Sequence, residues 1–180
     1  MKTKLKIVLA TILFMGLGGS LVAQITANDN ITTSASVVAA ITVADVTNLT
    51  FGNVSYSSSP SINASTGVKT ACSASATLGK LTVTATEGAS VNVTFTDNDL
   101  TTGGKTIAFT PSVYRTAITA ATDGETEVTS GSSYTVNSSA VGAVAGVDHF
   151  FVGGGLSVGD ATANPAGTYS GTFTLTVTYN

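Results

Sequence analysis

From Tyr169 to Asn180 the chain alternates without a break. Tyr169, Gly171, Phe173, Leu175, Val177 and Tyr179 share one parity, and Ser170, Thr172, Thr174, Thr176, Thr178 and Asn180 share the other. A period of two over that length predicts a β-strand with one face buried and one wet. Such an edge offers a row of backbone N–H and C=O groups, so what lies beside this strand becomes the functional question. Upstream, the alternation comes in shorter pieces cut by turn chemistry. Val37 to Val46 predicts a first strand, and Leu49, Phe51 and Val54 a short second one interrupted at Gly52. Ser55 to Gly67 reads as a loop, Lys69 to Leu78 as weakly apolar, and Gly79-Lys80 as a turn into Leu81, Val83 and Ala85. Glu87-Gly88 then turns into the hairpin partner Val91, Val93 and Phe95. Asp97 to Lys105 predicts another turn before Ile107 and Phe109, and Pro111 to Gly131 is the least regular stretch. Tyr134 and Val136 form a short strand, Phe150 to Val158 a longer one, and Asn164 to Gly167 turns into the last. About eight strands at this spacing predict an all-β fold, a single immunoglobulin-like or pilin-like β-sandwich of antiparallel strands.

The start of the chain changes the compartment. Lys2, Lys4 and Lys6 precede the apolar run Ile7 to Leu17, and Gly18, Gly19 and Ser20 loosen the chain before Ala23. That is the organisation of a secretory signal peptide, with cleavage expected between Ala23 and Gln24. The run falls short of the roughly 20 apolar residues a membrane span needs. No second hydrophobic segment follows, so no transmembrane segment is expected in the mature chain. The domain reading is therefore 1–23 signal peptide, 24–36 an N-terminal extension, and 37–180 the sandwich. Export takes the chain through the periplasm to the cell surface or beyond.

Composition narrows the partners. Without the three signal lysines, four basic residues face ten acidic ones, a net charge of −6. Lys69, Lys80, Lys105 and Arg115 are scattered, which argues against nucleic acid and anionic lipid, since both need clustered cations. Thr, Ser, Val, Ala and Gly dominate and Trp is absent, in keeping with a pleated, half-buried fold.

Candidate chemistry is sparse. Gly155-Leu156-Ser157-Val158-Gly159 has the spacing of a serine-hydrolase elbow, but that motif needs a following helix and a later histidine. The single histidine, His149, precedes the serine, and beside Asp148 it lacks the further ligands of a zinc site. Asp97-Asn98-Asp99 opens like a calcium loop, yet Thr101 and the late Gly103-Gly104 break the pattern, so a turn is the better reading. Asp123, Glu125 and Glu127 read as a solvated loop. Cys72 is the sole cysteine and cannot form an internal disulfide, so packing alone holds the fold. Asn-x-Ser/Thr triplets at Asn30, Asn48, Asn53, Asn63, Asn92 and Asn137 follow from a chain rich in those residues. No catalytic residue, metal or cofactor is expected.

Leu49-Thr50-Phe51-Gly52-Asn53-Val54, Phe151 to Val158 and the closing Gly-x-Tyr-x-Gly-x-Phe-x-Leu-x-Val-x-Tyr ribbon together resemble a bacterial family of exported β-sandwich proteins, domain-of-unknown-function family 4402. More distantly, the end of the chain is similar to chaperone–usher pilins and spore-coat-U-type proteins, with Gly167 and Tyr179 at the places of the pilin glycine and penultimate aromatic. The pilin resemblance implies a sandwich short of one strand, filled first by a periplasmic chaperone and then by the extension of the next subunit, a form of strand addition. Gly167, Tyr169, Phe173, Leu175, Val177 and Tyr179 would then line or flank the groove. Ile25, Ala27, Ile31, Thr33 and Ala35 would be the donor positions. Each buried apolar side chain would contribute about 1.5–3 kcal/mol before the cost of ordering the donor.

Two departures keep an alternative open. The pilin disulfide is impossible here, and Asp29 shares the donor parity, where an unpaired carboxylate is costly to bury. Ala35 to Ala44 could instead complete the sandwich within one chain. The first function reading is a non-catalytic exported structural or adhesion protein, a fimbria-like filament or coat subunit that self-associates or joins other surface subunits with the help of a chaperone and usher. It expects a peptide resembling Gln24–Ala40 to raise the melting temperature. The alternative is a self-contained secreted module binding carbohydrate or protein, for which Tyr56, Tyr114 and Tyr134 are the few available aromatic platforms.

Overall fold

The computed structural model describes residues 38–97, 99–117, 126–137 and 145–180. The signal-peptide and donor-segment readings, including Ile25, Ala27, Ile31, Thr33 and Ala35, lie outside the described residues, as do Asn98, Asp123 and Glu125.

The described chain is all-β. Its strands are β1 (Thr42–Thr47), β2 (Ser61–Ile62), β3 (Lys69–Thr70), β4 (Gly79–Thr86), β5 (Ser90–Asp97), β6 (Leu100–Thr102), β7 (Lys105–Thr116), β8 (Thr126–Glu127), β9 (Ser132–Thr135), β10 (Ala145–Ser157) and β11 (Phe173–Tyr179). Every strand pairing is antiparallel, in two sheets that form a sandwich. β10 is the spine of the larger sheet. One edge pairs with β4 from Ala145 to Val152 and then with β2 at Gly154 and Gly155, while the other pairs with β7 from His149 to Ser157. β1 lies outside β4, and β6 and β8 lie along the far edge of β7. The smaller sheet has the order β11-β5-β9.

Several boundaries differ from the sequence expectation. The first strand begins at Thr42 rather than Val37, and Leu49 to Val54 forms no strand, only a Thr50–Thr77 bridge. Gly79-Lys80 is not a turn but the start of β4; a Cβ on Gly79 would lie 3.1 Å from the Leu49 Cβ, so the glycine marks a close approach. β7 runs through Pro111 to Thr116, where irregular chain was expected. β10 starts five residues earlier than Phe150, and the last strand starts at Phe173, with Ser170 making only a bridge to Thr101.

Alternation decides what fills the sandwich. Val83 and Ala85 of β4, Val91 and Val93 of β5, Val113 of β7, and Phe150 and Val152 of β10 meet in one buried cluster. Phe51, Ile62, Ala76, Ile107, Phe109, Leu156 and Val158 make a second, toward the other end. Gly153 and Gly154 let neighbouring chain press onto β10. A Cβ at Gly153 would collide with the Ile62 carbonyl, and one at Gly154, whose φ is +131°, with the Thr110 carbonyl.

One charged clasp joins the two sheets. Asp148 is 1% exposed on β10 and accepts from Arg115 Nη1 at 3.1 Å and Asn137 Nδ2 at 2.5 Å. The same Arg115 nitrogen donates to the Thr135 carbonyl of β9 at 2.7 Å, and the guanidinium lies 5.0 Å from the Tyr134 ring centre. Arg115 Nε is buried without a partner.

Candidate strand-acceptor groove

β11 is an edge strand. Among the described residues it pairs only with β5, in the register Phe173 to Asp97 through Tyr179 to Val91. The Asn180 N–H donates to the Ser90 carbonyl and the Gly131 N–H to that of Val93, which fixes the phase of the ladder. Even-numbered residues of β11 therefore bond to β5, while the N–H and C=O groups of Phe173, Leu175, Val177 and Tyr179 point to the unpaired side. Their side chains turn into the sandwich, yet all four are only half-buried, where a covered strand would bury them.

Across from that edge stands β1, which among the described residues pairs only with β4. Its register with β4 puts Val43 opposite Val83, on the inward face, and Val43 is nevertheless 42% exposed. Between the edges runs a groove of about 1220 Å³. Its walls include Leu49, Phe51, Leu81, Phe109, Leu156 and Phe173, and the loops around Tyr56 and Gly167–Thr172 form its mouth. Among the described residues that line it Lys80 is the only charged one, and its ammonium lies 5.5 Å from the Phe151 ring centre.

The groove is confined to the Phe173 half of β11. Gly167, Tyr169, Phe173 and Leu175 line it; Val177 and Tyr179 do not, packing instead against the first core cluster along with Ile41. Tyr179 closes that end. Its hydroxyl donates to the Ala39 carbonyl at 2.7 Å and accepts from the Thr86 N–H at 2.8 Å, and the Ala39 N–H reaches Thr86 Oγ1 at 2.7 Å. The described part of Ala35 to Ala44 thus touches the end of β11 at Ala39 and, from Thr42, joins the larger sheet beside β4.

The other sequence candidates stay apart from the groove and from each other. Ser157 ends β10, opposite Ala108, and continues into extended chain instead of the strand–turn–helix an elbow requires. His149 sits eight residues upstream on the same strand, about 26 Å away at strand rise. It is 8% exposed, with Nδ1 3.1 Å from Thr82 Oγ1; burial and then the Lys80 charge hold its pKa below the usual value, against the opposing pull of Asp148. Asp99 accepts from the Phe109 N–H, fastening the β6–β7 hairpin. Cys72 donates its thiol to the Ser61 and Thr70 carbonyls. Among the described residues, no three His, Cys, Asp or Glu side chains converge as a metal site. No helix among them is long and apolar enough to cross a membrane.

Sequence reasoning missed the second wall. Val43 and Leu81 of the larger sheet and Leu49 of the irregular chain after β1 face the groove, and only the alternation of Leu81, Val83 and Ala85 marked one of them, Leu81, as inward. The profile of the family described as domain of unknown function DUF4402 matches residues 41–179, and the chain belongs to that family. No curated protein and no solved structure matches the chain.

Proposed function

We propose that this DUF4402 chain is an exported, non-catalytic structural or adhesion subunit of the cell surface, a component of a fimbria-like filament or a coat, assembled by adding a strand beside β11. The observation that carries the reading is a pair of edges, β11 and β1, each paired on one side only among the described residues and flanking an apolar groove. An unpaired, regular edge over half-exposed apolar side chains is an open template for another strand. The partners are other surface subunits, with a periplasmic chaperone and usher as the machinery that keeps the edge covered until assembly. The experiment is made on recombinant protein comprising residues 24–180. Alone it should aggregate or melt early, and an extended peptide alternating apolar and polar residues should raise its melting temperature. A monomer of ordinary stability that ignores every such peptide would defeat the proposal.

Tyr56, 48% exposed at the groove mouth, favours a second reading as a self-contained secreted binding module, because an exposed aromatic suits carbohydrate. Glycan-array binding lost in Tyr56→Ala would support it; a silent array removes it.

A further inference from the structure

We infer that the strand received by this groove belongs to a different polypeptide, one that presents large aliphatic or aromatic side chains at alternate positions with no charge among them, and is not the extension of this chain. The inference rests on the strand-addition reading above and identifies the partner's chemistry.

The occupant is a polypeptide because the groove offers backbone. The outward N–H and C=O groups of Phe173 and Leu175 border it, and an apolar small molecule would bury them unpaired. Its side chains are large because the space is large. At about 1220 Å³ the groove exceeds the roughly 300–1,000 Å³ of ordinary small-ligand pockets, and Leu49, Phe51, Phe109, Leu156 and Phe173 stand around it. A strand of small residues would leave voids that forfeit contacts on every wall. Its inward positions are uncharged because, among the described residues that line the groove, none is acidic and the one cation, Lys80, holds its ammonium 5.5 Å from the Phe151 ring centre.

Residues 24–37 offer a backbone but meet the terms of size and charge poorly. The parity that would face inward reads Ile25, Ala27, Asp29, Ile31, Thr33, Ala35 and Val37, which is mostly small and carries a carboxylate in the middle. Among the described residues the groove has no basic side chain besides Lys80, so an Asp29 carboxylate buried there is costly. Nor does the sequence favour folding back into the same molecule's groove. From Ile31 to Ile41 there is no Gly, Pro, Asn or Asp, the residues a tight reversal uses, and Val38 to Ile41 enters β1 with neither turn nor bend.

The test uses protein of residues 24–180 and three nonapeptides: one alternating leucine with threonine, one spanning residues 25–33, and a shuffled leucine–threonine control. Binding is read by calorimetry and by melting temperature. The alternating peptide should bind at least ten-fold tighter than the 25–33 peptide, and Leu175→Glu should remove that binding. The triple variant Asp29→Val, Thr33→Leu, Ala35→Leu, which makes the extension bulky and uncharged, should turn the protein into a concentration-dependent oligomer. Equal or tighter binding of the 25–33 peptide overturns this inference and leaves strand addition standing. If no peptide binds and a fluorescent apolar dye alone fills the groove, both readings fall.

Discussion

Replacing Asp148 with alanine removes one end of a buried ion pair. The carboxylate accepts from Arg115 Nη1, the Asn137 side-chain amide and, at 3.4 Å, the Asn137 N–H. Arg115 would keep the Thr135 carbonyl and the Tyr134 ring, but its charge would remain 13% exposed without a counter-ion, and its Nε already has no partner. Breaking a buried pair from one side costs about 3–5 kcal/mol, and the residual exposure of Arg115 places the loss near the lower end, about 3 kcal/mol. For a domain of this size that is a fall of roughly 10 °C in melting temperature. Urea unfolding at constant pH measures it, with an unchanged slope showing that the same surface is exposed. The double variant Arg115→Met, Asp148→Leu should lose less than Asp148→Ala, because no charge is stranded. A loss below about 1 kcal/mol for Asp148→Ala, or a double variant worse than the single, would refute the view that this clasp locks β9 onto β7 and β10.

Gly154→Ala should destabilise by more than about 1 kcal/mol, since its φ of +131° and the Thr110 carbonyl both exclude a Cβ; circular-dichroism melts of the variant check this. Tyr179→Phe should cost about 1 kcal/mol and leave the Thr86 amide exchanging faster, as the hydroxyl that accepts its N–H and donates to the Ala39 carbonyl is gone. His149 has a folded pKa below its unfolded 6.5, so the unfolded chain binds the extra proton first. Stability should fall as pH drops through about 6.5 and level off below the folded pKa, and His149→Gln should flatten that limb in pH-dependent urea titrations. Phe173→Asp should weaken capture of an alternating peptide far more than it lowers the melting temperature, because Phe173 is only half-buried in the free protein.

The fold was legible wherever one face is wet. β4, β5 and β11 have one exposed or half-exposed face, and their period of two predicts their inward residues. β10 was under-read because it is paired along both edges and buried on both faces, so Asp148 and His149 sit inside where polar residues suggest an exposed strand end. Pro111 concealed the second half of β7. The Val128 N–H bonds outward to the Val113 carbonyl, so odd positions of β7 face away from β10. Pro111 falls between β6 and β8 on that edge, where no partner asks for its missing N–H. Of the groove, the β11 wall could be read from Phe173 and Leu175. The facing wall could not, because Leu49 and Phe51 lie in irregular chain whose inward direction is set by contacts with Gly79 and Phe109, not by periodicity.

The hydroxyl of Tyr179 fastens Ala39, and the amide of Asn180 donates to Ser90 and Ser133 across two neighbouring strands. Both approaches to the sandwich are therefore stitched together at one pole, opposite the groove mouth. A fluorescent label fused after Asn180 would crowd that stitching, whereas one inserted at the Gly103-Gly104 hairpin tip, where added atoms meet nothing within 4 Å, would leave it intact. Imaging experiments on cells would do best to tag the protein there.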